Sequence, residues 1–157
     1  FELMATMPIR DEELVLGKFL SAVSLLFVTL LLTFTYPLTL SWLGDLDWGV
    51  VFGGYVGLLL IGTAFVAIGL AASASTTNQI NAFLFALLLS LIPFLIGYTL
   101  SRVPEEWLPF VQYISFEYHF NNLARGVIDS RNIIYYGSVI ALALHITLFQ
   151  IARRRLQ

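Results

Sequence analysis

Four long runs of this sequence contain no Asp, Glu, Lys or Arg, and they limit what the chain can fold into more than any other feature. The runs cover residues 19–41, 49–72, 80–100 and 133–151. The hydrocarbon core of a bilayer is about 30 Å thick, and an α-helix needs about 20 apolar residues to cross it. Each run reaches that length. The sequence therefore predicts an all-α membrane protein with four transmembrane helices.

The overall composition excludes a soluble monomer. Hydrophobic residues make up 59% of the chain, charged residues make up 11%, and the mean hydropathy is +0.86. A soluble domain carries about 25% charged residues, so the lipid bilayer is the expected surroundings. The net charge of -2 is too small for polyanion binding, and nucleic acid is not an expected partner. The absence of cysteine excludes disulfides, thiolate zinc sites and cysteine nucleophiles.

The basic residues predict the orientation, because Lys and Arg near helix ends are retained on the cytoplasmic side. Arg10 and Lys18 precede the first run, and three arginines at 153–155 follow the last. The turn at 43–48 has acids and no base, as expected outside the cell. The loop at 101–132 has three bases and four acids, and we place it outside because both ends of the chain are basic. We expect a multi-pass plasma-membrane protein with both ends cytoplasmic and these two connections outside.

Small residues and prolines mark special positions in the helices. Gly49, Gly53 and Gly57 recur every four residues, which stacks them on one helix face and lets a neighbouring backbone approach closely. That face could serve packing inside the subunit or an interface between subunits. Pro37 and Pro93 each remove a backbone donor and should kink or end their helices.

The segment 101–132 is too long for a tight turn and too apolar for a free loop. Pro104, followed by two glutamates, predicts one helix start. Ser115 is an N-cap candidate for a second helix, which Gly126 should interrupt or end. We therefore expect two short amphipathic helices on the outer face, lying in or dipping into the outer leaflet.

No motif in the chain supplies catalytic chemistry. An ATPase needs a phosphate loop of the form GxxxxGK[ST], but Phe19 follows Gly17 and Lys18, and Glu12 stands at the position of the first glycine. The histidines are too few and too far apart for a recognisable zinc site. We predict that the chain is not an enzyme and holds no metal or cofactor.

Two histidines remain to be interpreted. His145 lies inside the last apolar run, where an ionisable group is costly; it is either a neutral imidazole hydrogen-bonded to a neighbouring helix or a functional group. Glu117 and His119 are two residues apart, so they should point to different sides of a helix, and a metal or acid-base role is the weaker interpretation.

The segment 1–18 is more specific, because it resembles the ABC-2-type permeases. It has the sequence FELMATMPIRDEELVLGK, and the cytoplasmic segment before the third membrane helix of that family commonly has the pattern E-L-L-x-T-L-P-[VI]-R-x-x-E-[LIV]-V-x-G-K. Methionines at positions 4 and 7 replace the usual leucines. The matching residues are Glu2, Leu3, Thr6, Pro8, Ile9, Arg10, Glu13, Val15, Gly17 and Lys18.

A second match lies before the last membrane helix and is most similar to the gliding-motility-associated branch of that family. It comprises the stretches FEYHF at 116–120 and RGVIDSR at 125–131, followed by Tyr135 and Tyr136, while Asn132 stands where an acid is usual. The residues of this outer-face motif that we single out are Glu117, His119, Phe120, Arg125, Gly126, Asp129 and Arg131.

The resemblance implies an architecture and partners. The four helices would be the third to sixth of a six-helix permease, with the first two helices and the N-terminal part missing from this sequence. Residues 1–18 would be the cytoplasmic coupling segment and residues 19–157 the transmembrane domain. The implied partners are a separate ABC ATPase subunit, which binds ATP and Mg²⁺, and a second permease in a homodimer or heterodimer.

Two other functions were weighed against the permease. A membrane-embedded enzyme needs convergent polar groups at membrane depth, and the four runs offer chiefly Asn81, Ser90 and His145. A non-transporting membrane anchor or assembly subunit explains the hydrophobic composition equally well. The transported substrate is not readable from these residues.

Overall fold

The computed structural model describes residues 10–155, except for the side chains at positions 101, 154 and 155. Four of the predicted coupling residues, Glu2, Leu3, Thr6 and Pro8, lie outside the described residues. The regular elements of the described part are all helical. They are α1 (Asp11–Thr33), α2 (Thr35–Leu43), α3 (Trp48–Ser75), α4 (Gln79–Ile96), a 3-10 helix (Gly97–Arg102), α5 (Leu108–Ile114), α6 (Phe116–Ala124) and α7 (Ser130–Arg155).

Four helical stretches are long and apolar enough to cross a membrane, as the sequence predicts. They comprise α1 with α2, α3 alone, α4 with most of the 3-10 helix, and α7. Each is longer than the charge-free run inside it, because helix caps and charged end residues join the helix. Asp47 accepts hydrogen bonds from the amides of Gly49 and Val50 at the start of α3, and Asn78 accepts one from Ile80 at the start of α4.

The first helix begins at Asp11 and continues through Lys18 into the membrane span without interruption. Its first turn contains three acids, which lie at the positive end of the helix dipole. The Glu13 carboxylate also accepts a hydrogen bond of 3.4 Å from the Arg10 amide. A single helix therefore joins residues 11–18 to the apolar run that begins at Phe19.

The break in the first span lies three residues before the proline that causes it. The sequence predicts a kink or an end at Pro37, but α1 stops at Thr33 and α2 starts at Thr35. Proline has no N–H to give to the carbonyl four residues earlier, which is that of Thr33. The amide of Phe34, between the two helices, bonds instead to Leu31 in a tighter turn. The predicted helix over 19–41 is therefore two helices.

Pro93 has a different outcome, because α4 continues through it. The helix ends at Ile96 and tightens into the 3-10 helix at Gly97. A change to 3-10 geometry shortly after a proline is a common way to close a helix whose hydrogen-bond ladder has lost a donor.

The central helix of the bundle is α3, which packs against α1, α4, α6 and α7. Its buried positions are mainly small or β-branched, and they are Gly53, Gly57, Ile61, Ala64, Ala67, Ile68, Ala71 and Ala72. In contrast, α4 has no buried residue, and α1 has Val15 alone. Their exposed apolar side chains suit contact with lipid or with further membrane helices.

The helices α5 and α6 form a hairpin, and α6 inserts into the bundle instead of lying over it. It packs against α3, α4 and α7. Two of its contacts on α3 are at Gly53 and Gly57, which lie about 8 and about 14 Å along the helix from Trp48 at 1.5 Å per residue. The two short helices that the sequence predicts between the last two spans are present, and α6 lies against the side of α3. We call this end of the bundle the hairpin end.

The first of these short helices starts later than the sequence suggests. Pro104 was the predicted start. Its carbonyl accepts a hydrogen bond of 3.0 Å from the Trp107 amide, which forms a single turn, and α5 begins at Leu108. The reason is Pro109, which tolerates a place in the first turn of a helix but would break a helix that had begun at 104. The second helix agrees with the prediction, since Ser115 caps it and Gly126 follows its end.

Candidate functional site

The junction between α5 and α6 is the most elaborate polar feature of the described residues. A helix leaves its last carbonyls without helical partners, and a junction buried inside a helix bundle must supply protein donors for them. The Ser115 amide bonds the carbonyls of Val111 and Gln112. Three side chains reach further carbonyls of the junction: His119 Nε2 lies 3.1 Å from Tyr113 O, the Tyr135 hydroxyl 2.6 Å from Ile114 O, and the Tyr136 hydroxyl 2.8 Å from Phe116 O.

Aromatic rings enclose this junction. The His119 ring stacks on Tyr135 with 4.0 Å between ring centroids and 20° between the planes. Tyr113, Tyr118 and Tyr136 meet it edge-on, with centroids about 6 Å away. His119 is 5% exposed and Tyr136 is fully buried. The ring therefore has almost no contact with the surroundings of the bundle.

A buried amide completes the polar cluster that we call the junction cluster, consisting of Tyr113, Ser115, His119, Asn132, Tyr135 and Tyr136. Asn132 Oδ1 lies 2.7 Å from His119 Nδ1, and Asn132 is 3% exposed. Its Nδ2 atom is buried and has no hydrogen-bond partner. Asn132 lies in the first turn of α7, so this contact ties the start of α7 to α6.

Glu117 lies beside the junction cluster, on the side of α6 that faces the 3-10 helix. A Cβ atom at Gly97 would collide with its carboxylate and with the Ser115 hydroxyl. Glu117 Oε1 receives a hydrogen bond of 3.4 Å from Asn121, whereas Oε2 is buried without a partner. The expectation that Glu117 and His119 point to different sides of a helix agrees with this placement.

The remaining residues of the predicted outer-face motif have separate local roles. The Phe120 ring packs against Gly57, and Gly126 adopts φ +82° at the end of α6, where its Cα approaches the Gly49 backbone. Asp129 accepts a hydrogen bond of 2.9 Å from the Arg131 amide at the start of α7. Arg125 and Arg131 are exposed.

The glycine face of α3 serves packing within the chain. A Cβ atom at Gly53 would collide with the Leu123 carbonyl and lie 2.9 Å from the Gly126 Cα, and one at Gly57 would lie 3.2 Å from the Phe120 ring. Gly49 continues the same line, since its backbone meets Gly126. The neighbouring backbone belongs to the hairpin and not to another spanning helix.

The coupling residues that the structure describes lie at the start of the first span, at the end of the bundle opposite the hairpin end. Arg10, Glu13 and Lys18 are all exposed, on the first two turns of α1 and the residue before it. They are not brought together with the junction cluster, so the two predicted groups are separate features of one bundle.

His145 is exposed on α7, and the described residues provide it with no hydrogen-bond partner. The hydrogen bond to a neighbouring helix that the sequence suggests is therefore not formed within this part of the chain. Within the same residues, 10–155, no group of three or more His, Cys, Asp or Glu side chains could hold a metal ion.

A groove lies between α1 and α3, apart from the junction cluster. It has apolar and aromatic walls around a volume of about 180 Å³. The hydroxyls of Thr33 and Tyr55 meet at its edge, 3.2 Å apart. Its lining residues are Phe27, Leu30, Leu31, Phe34, Phe52, Tyr55, Val56 and Leu59. The groove is lined by no carboxylate, histidine or basic side chain.

The sequence missed part of the junction cluster. In the sequence, Tyr135 and Tyr136 are marked only by the family resemblance, and no pattern marks Tyr113. A usable signal was present, because two adjacent phenols within an apolar run must find hydrogen-bond partners when buried. The partners themselves could not be predicted from the sequence, because they lie about 20 residues away from the two tyrosines.

No protein-family model, curated protein or solved structure matches this chain. The junction cluster is therefore interpreted from its own geometry. It closes the carbonyl end of α5, fixes α6 against α3 and joins both to the start of α7.

Proposed function

We propose that this chain is the larger part of a membrane-spanning permease subunit of an ABC transporter, which couples ATP hydrolysis by a separate ATPase subunit to export of a substrate across the plasma membrane. The observation that carries the proposal is the permease-like pattern of residues 2–18, together with the second matching segment at 116–131. Four spanning helices in the described residues are consistent with this function.

The continuity of α1 supports a coupling role for its charged start. A cytoplasmic element can move a membrane bundle only if it is rigidly joined to a spanning helix, so that closure of the ATPases tilts the bundle. Asp11 to Thr33 form one helix, and the Glu13 hydrogen bond to Arg10 fixes its first turn. A displacement of the charged end would therefore move α1 as one body as far as Thr33.

A path of close packing continues from α1 to the hairpin. A Cβ atom at Gly62 of α3 would collide with Leu26 of α1, so these helices are in close contact at mid-span. Further along, Gly53 of the same helix touches the backbone of α6. Motion of α1 would reach the hairpin through a single rigid helix, which is the kind of contiguous element that carries mechanical coupling.

In this proposal the four spans are the third to sixth of a six-helix permease. The exposed apolar surface of α4 and of α1 would then be covered by the two preceding helices, by a second permease or by lipid. The dimer could be a homodimer or a heterodimer, and ATP and Mg²⁺ would bind to the ATPase partner alone.

Co-purification tests this proposal. The tagged full-length permease is extracted from membranes in mild detergent, and bound proteins are identified by mass spectrometry. We expect an ATPase with Walker motifs, and we expect Arg10→Glu to reduce its recovery. Asp45→Lys, a charge reversal at an exposed position beyond α2, is the matched control and should not reduce recovery.

The competing function predicts a different result from the same experiment. If the chain is a non-transporting anchor or assembly subunit, other membrane or peripheral proteins will be recovered without an ATPase. That result, from correctly inserted protein, would contradict the permease proposal.

A further inference from the structure

The junction cluster contains a conflict between donors and acceptors around His119. As the atoms are placed, Nδ1 faces the Asn132 side-chain oxygen at 2.7 Å and Nε2 faces the Tyr113 carbonyl oxygen at 3.1 Å. Both neighbours are acceptors. A neutral imidazole carries one N–H and one unprotonated nitrogen, so it can donate to only one of them.

A doubly protonated ring would donate to both oxygens, but residues 10–155 place no carboxylate against it as a counter-ion. The groups that face the ring are Tyr113 from α5, Tyr118 from its own helix, and Tyr135 and Tyr136 from α7, and none of these phenols is a carboxylate. The nearest acid in sequence, Glu117, faces Gly97 instead. A buried charge without a partner is strongly disfavoured.

A neutral ring with its proton on Nδ1 does not solve the problem either. Its unprotonated Nε2 would then face the Tyr113 carbonyl, lone pair against lone pair. The carbonyl would lose its donor at membrane depth, and Asn132 Nδ2 would remain buried without a partner. His119 Nε2, the Tyr113 carbonyl and Asn132 Nδ2 would then all be unsatisfied.

We infer that Asn132 presents its amide nitrogen to His119 Nδ1 and thereby holds the ring neutral, with its proton on Nε2. The two ends of an amide have the same shape, so hydrogen bonding decides which atom faces the ring. In this orientation Nδ2 donates to Nδ1 and Nε2 donates to Tyr113 O. The buried amide nitrogen gains an acceptor, and the atom left without a partner is a carbonyl oxygen, which is tolerated more often than an unpaired donor.

Asn132 is therefore a positioning residue that determines the charge of the junction cluster. An amide at position 132 keeps His119 uncharged, because an amide can donate to Nδ1. A carboxylate can only accept, so Asn132→Asp would place a proton on both ring nitrogens and create an ion pair. This inference does not depend on the transport function proposed above.

Nitrogen NMR of the histidine rings tests the inference directly. The full-length protein is labelled with ¹⁵N at the ring nitrogens, placed in lipid bilayers at neutral pH, and compared with His119→Gln to assign the His119 signals. We expect one protonated ring nitrogen, Nε2, and one unprotonated nitrogen, Nδ1. In Asn132→Asp we expect both nitrogens of His119 to be protonated, with no change at His145.

Three results would overturn the inference. They are a doubly protonated His119 in the natural sequence, a proton on Nδ1 with Nε2 unprotonated, or an unchanged ring state in Asn132→Asp. If Asn132→Asp does not fold, the natural sequence alone still decides, because the first two results need no variant. A merely structural contact would not require any particular ring state.

Discussion

The Tyr135 hydroxyl donates a hydrogen bond of 2.6 Å to the backbone carbonyl of Ile114, the last residue of α5. The bond joins the second turn of α7 to the point where the hairpin leaves helical geometry. Irregular backbone at membrane depth is tolerated where protein groups satisfy it. This contact therefore allows the chain to turn inside the bundle, and it makes the hairpin part of the helix packing.

Removing the Tyr135 hydroxyl should destabilise the protein more than removing the Tyr136 hydroxyl. Tyr135→Phe leaves the Ile114 carbonyl without its side-chain donor, which should cost about 1–3 kcal/mol. Tyr136→Phe is the matched variant and should cost only about 1 kcal/mol, because Phe116 lies within α6, where a carbonyl normally also accepts a helical amide. Thermal unfolding in detergent measures both, and equal losses would contradict the assigned role of Ile114.

The glycine contact between α3 and the hairpin gives a second prediction. Gly53→Ala places a methyl group against the Leu123 carbonyl and the Gly126 Cα, and forcing the two backbones apart should cost about 1–3 kcal/mol. Gly54→Ala, one residue along, meets open space and should be neutral or stabilising by up to about 1 kcal/mol. Folded yield and unfolding temperature measure the difference.

The prediction is tested by the relative stability of Gly53→Ala and Gly54→Ala. If Gly53→Ala is as stable as Gly54→Ala, the close approach of α6 to α3 does not exist in the membrane.

The sequence was sufficient for the spans and for some helix ends. Charge-free runs identify helices because the bilayer excludes charge, and Ser115 and Gly126 mark helix ends because their local chemistry is short-range. The break lies at Phe34 and not at Pro37 because proline acts on the carbonyl four residues earlier, so the proline marks the kink but not its first residue. The partners of Tyr135 and of His119 were not predictable either, because they depend on how α5, α6 and α7 meet in space.

The expected orientation can be checked by cysteine labelling, and the absence of natural cysteine in this sequence makes the experiment clean. Asp45→Cys and Glu105→Cys lie in the turn after α2 and in the turn before α5, and both should react with an impermeant reagent in intact cells. Thr77→Cys, in the turn between α3 and α4, should react only after the cells are opened, because basic ends are retained inside. Labelling of Thr77→Cys in intact cells would show that the orientation is the reverse of the predicted one.

The charged start of α1 should affect coupling but not insertion. Glu13→Lys removes the acceptor for the Arg10 amide and reverses a charge at the positive end of the helix dipole. Insertion should be unchanged, since residue 13 lies outside the apolar runs that drive it. Membrane fractionation measures insertion, and Asp45→Lys, a reversal at the other end of the bundle, is the control.

The most direct test of the permease account is ATP hydrolysis by the reconstituted complex. The full-length permease and its co-purified ATPase are placed in lipid vesicles, and hydrolysis is compared with that of the ATPase alone and of the Glu13→Lys complex. The account predicts faster hydrolysis in the natural complex than in the isolated ATPase, and a loss of that stimulation in Glu13→Lys while the ATPase remains bound. Equal hydrolysis in all three samples would contradict coupling through α1.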